Sequence, residues 1–338
     1  MNLVSVFRML RRPGAVGEVA FSAEPIEGWP RYRVACDALS RPALLIDTGA
    51  AEGHVRLNTE LRYVSLWPAA RCEVASKGLV TNEIFSIIKC KSDDEALQEI
   101  FLEILGNLIE ALGPEPSSVA VSASFEHLAQ LFEALTKAST AELKGLWGEL
   151  LLIAASSNPA LLAVAWHAYR SELHDFQSGQ QLVEVKTTSV RPRRHEVSLA
   201  QLSPPAGSSL ILVSVLVEET RPIVSLKALM AIAKRRLVDP KLRLRLDEIV
   251  ANTLGTDWPC AGDVAFNARR AVSDLRFIAA ARVPCVDRAL PPEVSDVRFK
   301  VELDGVEGAV GEDLRESGGL HAALVPDERA FLSETNIN

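Results

Sequence analysis

Asp175-Phe176-Gln177-Ser178-Gly179-Gln180-Gln181-Leu182-Val183-Glu184-Val185-Lys186-Thr187-Thr188 decides how the rest of the chain is read. Leu182 to Thr187 alternates with period two and is rich in β-branched residues. That predicts a strand with Val183 and Val185 toward a core and Glu184 and Lys186 on the opposite face. Gly179-Gln180 suits a two-residue type II′ turn with glycine first, and the resulting register pairs Ser178 with Gln181, Phe176 with Val183 and Asp175 with Glu184.

Directly opposed side chains on one sheet face have Cβ atoms roughly 4.5–5.5 Å apart, and like charges there are destabilising. At an effective dielectric near 20 and a separation of about 4 Å the repulsion is about 4 kcal/mol, so one carboxyl titrates late or a cation sits between the two. Mg²⁺ suits such a place, with Mn²⁺ as its expected substitute, because a hard ion is held by one or two carboxylates plus waters and substrate phosphate. The Val185 carbonyl is expected nearby. The ammonium of Lys186, on the same face, could orient or deprotonate a water or neutralise charge on phosphorus. This is chemistry for phosphodiester hydrolysis. An E-x-K taken alone reads as a solvated strand face with a modest ion pair. An acid nine residues upstream, a glycine turn of the right length and a carboxylate on the preceding helix together favour a site.

That helix is expected to open at Ser139-Thr140, with Glu142 completing a capping box and Leu143, Leu146, Trp147, Leu150 and Ala154 as its buried stripe. Glu149 lies at the stripe's margin, either as a half-exposed surface carboxylate or as a supplementary metal or water ligand. Asn158-Pro159 is read as the helix end, with 161–169 a strand or an irregular apolar segment before Asp175.

After the hairpin stands the densest basic cluster, Arg191-Pro192-Arg193-Arg194-His195-Glu196. Its arginines either grip a nucleic-acid backbone or form a solvated loop. His195 reads as a phosphate or structural contact. Ser198 to Leu202 reads as a short helix in which Gln201 faces the site or is polar surface. Leu210 to Val217 is an apolar run of buried-strand length, and Lys234 to Arg236 is a second basic candidate.

The 338 residues, 48% hydrophobic, can bury a sizeable core in two or three domains. We expect a β-rich module over 1–113 that ends in a helix over 92–112, a core over 114–224, and a helical region over 225–338 with a poorly packed acidic tail over 302–330. Gly113 to Ser118 reads as a linker and 125–135 as a further helix. A net charge of −8 argues against coating nucleic acid non-specifically, although a local basic patch suffices for phosphate contacts. No apolar run is long enough to span a bilayer and no secretion signal is evident at Met1 to Arg12, so a cytoplasmic location without membrane is expected. The cysteines (Cys36, Cys72, Cys90, Cys260, Cys285) are scattered without a C-x-x-C pair, which fits reduced structural thiols. No P-loop, G-x-S-x-G or H-E-x-x-H motif occurs, which argues against an ATP motor, a serine hydrolase or a zinc protease.

The order helix with Glu149, Asp175, Glu184-Val185-Lys186, helix, strand resembles the PD-(D/E)XK nuclease superfamily over about residues 139–218. Gly145-Leu-Trp-Gly-Glu-Leu, Val183-Glu-Val-Lys-Thr-Thr and His195-Glu-Val-Ser-Leu-Ala-Gln-Leu are similar to uncharacterised bacterial PD-(D/E)XK motif proteins of restriction and phage-defence gene clusters. The resemblance implies an α/β (α+β) fold with a restriction-endonuclease-like αβββαβ core. It implies Mg²⁺-dependent DNA cleavage, often by homodimers and alongside other proteins of the cluster. It also assigns Asp175, Glu184 and Lys186 to the motif positions and Glu149 to the helix carboxylate; His174 stands where the motif has proline. A non-catalytic DNA-binding or scaffolding subunit that retains the fold is the competing expectation, and RNA as substrate a third.

Overall fold

The computed structural model describes residues 3–10, 20–49, 58–76, 78–135, 143–167, 172–286, 291 and 294–335. The chain divides into two compact units, Met1–Lys137 and Ala138–Asn338.

In the first unit a short helix α1 (Leu3–Leu10) precedes strands β1 (Ala20–Ile26), β2 (Trp29–Asp37), β3 (Pro42–Ile46), β4 (Thr59–Glu60), β5 (Val64–Ser76) and β6 (Leu79–Cys90). Helices α2 (Glu95–Leu112) and α3 (Ser118–Ala134) follow. The strand order is β1-β2-β3-β6-β5-β4, and a parallel pairing of β1 with β5 closes five of these strands into a barrel. Closure puts alternate side chains inside: Phe21, Ala23, Ala35, Leu45, Val74, Phe85 and Ile87 form its core. Asp94 caps α2 by accepting from the Ala96 and Leu97 amides, and Ser117 caps α3. The segment 113–118, read from sequence as a linker, joins two helices that pack within this one unit.

The second unit begins with α4 (Leu143–Ala155) and α5 (Pro159–Ala165), followed by β7 (Phe176–Ser178), β8 (Gln181–Thr188), β9 (Arg194–Ser198), β10 (Ser209–Leu216) and β11 (Val224–Ser225). Then come α6 (Leu226–Arg236), α7 (Pro240–Leu254), β12 (Ala265–Phe266), α8 (Ala268–Ser273), β13 (Arg276–Ala279), β14 (Arg298–Glu302), α9 (Gly311–Ser317), α10 (Gly319–Ala323) and α11 (Glu328–Thr335). The expected Ser139–Glu142 capping box lies outside the described residues. The central sheet has the order β13-β10-β8-β7, with β8 and β10 parallel and the other pairs antiparallel. The hairpin register is the expected one: Phe176 pairs with Val183 and Ser178 with Gln181 across a turn where Gly179 has φ +59°.

Both faces of β8 are covered. On one, α4 lies so close that a Cβ on Gly148 would stand 2.1 Å from Thr187 Oγ1, so this contact requires glycine. On the other, Glu184 and Lys186 share the face of Leu212 and Ser214, and Leu212 packs with Val197, Leu202, Ile278 and Val301.

Three local expectations are corrected. The stretch after Asn158 forms α5 and not a strand, because Asn158 accepts from the Leu161 amide and Pro159 takes the first helical turn, together a start signal. Ser198 to Leu202 is a turn and not a helix. Pro204-Pro205 bars continuation, since a residue before proline is pushed out of the helical region. Strand β9, on which the sequence carried no expectation, pairs with β14, a hundred residues or more away, in a sheet of their own. The acidic tail is packed: α9 to α11 bury Leu314, Leu320, Leu324 and Phe331. Among the described residues no helix is long and apolar enough to cross a membrane.

Candidate active site

Strand β8 presents Glu184 and Lys186 side by side because both have even register on one pleat face. Glu184 is 2% exposed. Its Oε1 accepts from the Lys186 ammonium at 2.8 Å and from Gln201 Nε2 at 2.5 Å. Its Oε2 is buried with no hydrogen-bond partner among the described residues. Asp175, one residue before β7, accepts from the Val185 N–H through Oδ2 at 2.7 Å. Since the N–H and C=O of one strand residue point to the same side, the Val185 carbonyl also faces the Asp175 edge. Burial, then the Asp175 charge, pushes Glu184 up to about 8 against the opposing pull of Lys186. Loss of hydration likewise raises Asp175, offset in part by the Val185 N–H and Lys186. Two carboxyls held above their ordinary range in one place mark a functional-site candidate.

Other sequence candidates lie elsewhere. Glu149 Oε2 accepts from the Trp166 indole at 2.7 Å, and among the described residues no group of three His, Cys, Asp or Glu side chains could hold a metal. Glu149 therefore does not complete a side-chain triad with Asp175 and Glu184. Arg193 is enclosed at 3% exposure, where it donates to the Ser214 carbonyl and hydroxyl and to the Asp274 carbonyl. That geometry removes it from the phosphate contacts. His195 is also interior, 2.8 Å from Ser214 Oγ, and burial pushes it down to about 4, which keeps it neutral. Arg191 and Arg194 remain exposed, in surface pairs with Asp274 and Glu302. The second basic cluster is tied internally, with Lys234 on Asp247, Arg235 on Glu334 and Arg236 on the Ala154 carbonyl.

Gln201, by contrast, reaches the site through Glu184 and Lys186. Sequence reading noted His174 only as the residue in the place of the motif's proline; it is buried with Nε2 2.9 Å from the Gln201 carbonyl. It passed over His167, whose backbone N–H donates to the Asp175 carbonyl at 3.0 Å. Closeness to Asp175 in the chain was the signal available for both.

A family model described as "Putative PD-(D/E)XK family member, (DUF4420)" matches residues 5–304. The chain belongs to this family. No curated protein and no solved structure matches it. Membership in DUF4420 carries a nuclease-like assignment, and PD-(D/E)XK nucleases typically use divalent metals. The DUF4420 site has the donors such an ion takes: hard carboxylate oxygens, one of them buried without a partner among the described residues, with a backbone carbonyl on the same edge.

Proposed function

We propose that this chain is a Mg²⁺-dependent endodeoxyribonuclease that hydrolyses phosphodiester bonds of DNA within a restriction or phage-defence system of the cytoplasm. The observation that carries the reading is the enclosed Glu184 carboxylate, with Lys186 and Gln201 on Oε1 and no partner on Oε2 among the described residues. Asp175, Glu184 Oε2 and the Val185 carbonyl are the donors that would hold the ion, a set sufficient for a metal that keeps several waters. When bound, a divalent ion supplies Lewis acidity at a phosphoryl oxygen and lowers the pKa of bound water. The Val185 N–H orients Asp175. Lys186 puts a fixed positive charge beside the carboxylates, where charge on the transferring phosphoryl group would develop. Arg191 and Arg194 are the proposed backbone contacts, because they alone in their segment keep exposed guanidinium groups.

The second reading, a DNA-binding or scaffolding subunit without catalysis, is favoured by one observation: no third acidic side chain joins the pair among the described residues. A crystal soaked in Mn²⁺ separates them. Anomalous density between Asp175 and Glu184 is expected, and its absence at saturating Mn²⁺ would remove the metal site.

A further inference from the structure

Gln201 uses every polar group it has. Its N–H donates to Ser198 Oγ at 3.1 Å, and its Oε1 accepts from the Ser198 N–H at 3.1 Å, which is a reciprocal capping box. A backbone N–H only donates, so Oε1 must face Ser198 and Nε2 is left to donate to Glu184 Oε1. Lys186 Nζ, also only a donor, agrees with this orientation at 3.3 Å from Oε1. The Gln201 carbonyl, in turn, accepts from His174 Nε2 at 2.9 Å, so that ring nitrogen is the donor. A glutamine serving the turn alone needs only Ser198. The bonds to Glu184, Lys186 and His174 exceed what the turn requires.

We infer that Gln201, clamped by His174, is a positioning residue that fixes the Glu184 carboxylate and the Lys186 ammonium relative to Asp175. This rests on the metal-nuclease reading above. His174 immediately precedes Asp175, so the clamp joins the segment carrying one acid to the strand carrying the other through a single residue, whose carbonyl holds His174 and whose side chain holds Glu184. Donation to Oε1 favours the ionised carboxylate and leaves Oε2 as the open donor. Outer partners of this kind typically carry about 10–100-fold in metal affinity.

The test uses the full chain, Ca²⁺ alone as the probe by calorimetry, and hydrogen exchange at the Val185 amide in chelator. Gln201→Ala and His174→Leu should each weaken Ca²⁺ binding by about 10–100-fold. Ser198→Ala, which breaks the turn's cap but leaves the Gln201 amide beside Glu184, should do so by less. His174→Gln, which can offer an amide donor in place of the ring Nε2, should restore affinity toward wild type. Wild-type affinity in Gln201→Ala, or equal losses in His174→Leu and His174→Gln, would overturn the clamp. If wild type itself binds no Ca²⁺, the nuclease reading fails and exchange alone judges the clamp. The Val185 N–H bound to Asp175 should then exchange faster in Gln201→Ala and His174→Leu but not in His174→Gln. Unchanged exchange in all three overturns it.

Discussion

Replacing Glu184 by glutamine in the metal-free chain should remove a pH dependence that the wild type carries. The unfolded chain releases the Glu184 proton near its ordinary 4.5, whereas the folded chain holds it to about 8, chiefly through burial and then Asp175. Between those values the folded state binds more protons than the unfolded one, so stability falls as pH rises and levels off above about 8. Each pH unit is worth about 1.36 kcal/mol, which makes the full interval worth about 5 kcal/mol. Asp175 is raised as well and shares that quantity, so the expected loss is a few kcal/mol. His195, pushed down to about 4, acts in the opposite sense below its ordinary 6.5, but equally in both proteins, and cancels in their difference. Urea unfolding in chelator between about pH 5 and 9 measures it. Wild type should lose roughly 1 kcal/mol per pH unit relative to Glu184→Gln, and Ca²⁺ at about pH 8 should restore stability only to the wild type. Parallel curves for the two proteins would refute the account of Glu184.

Gly148→Ala should destabilise by about 1–3 kcal/mol in thermal melts, because its Cβ would stand 2.1 Å from Thr187 Oγ1 at the α4–β8 contact. Arg193→Ala should cost about 2 kcal/mol or more by stranding the Ser214 and Asp274 carbonyls, while Arg194→Ala should stay within about 0.5 kcal/mol. Replacing Arg191 and Arg194 together should lower the salt dependence of log K for DNA by about 0.9 for each phosphate no longer neutralised, and an unchanged slope would relegate both to solvated surface.

The hairpin was legible because everything that sets it is local. The alternation in Leu182 to Thr187 and a glycine at the turn fix register, and register alone puts Glu184 and Lys186 on one face. The helices α2, α6 and α7 follow from apolar spacing and end caps in the same way. What the sequence hid is long-range. Arg193 sits in the most basic stretch of the chain yet is buried, because Ser214 and Asp274 reach it from 21 and 81 residues away. Nothing near β9 announces β14, and the charges of 302–330 concealed the apolar stripe of Leu314, Leu320, Leu324 and Phe331 that ties α9 to α11 down. Asn158-Pro159 follows the end of α4, as read, and also starts α5, which the reading missed, since proline suits both places.

The central claim is most directly tested at Lys186. Its stem packs in the strand and its ammonium lies 2.8 Å from Glu184 Oε1, so Lys186→Met keeps the packing and removes the charge. Removing one preorganised electrostatic group typically costs about 10²–10³ in rate. In single-turnover nicking of plasmid DNA with Mg²⁺, Lys186→Met should be slower than wild type by that factor, while its affinity for DNA in Ca²⁺ is unchanged. Equal cleavage rates, or a wild type that binds DNA but never cuts it in Mg²⁺, would contradict a metal-dependent nuclease at Asp175, Glu184 and Lys186.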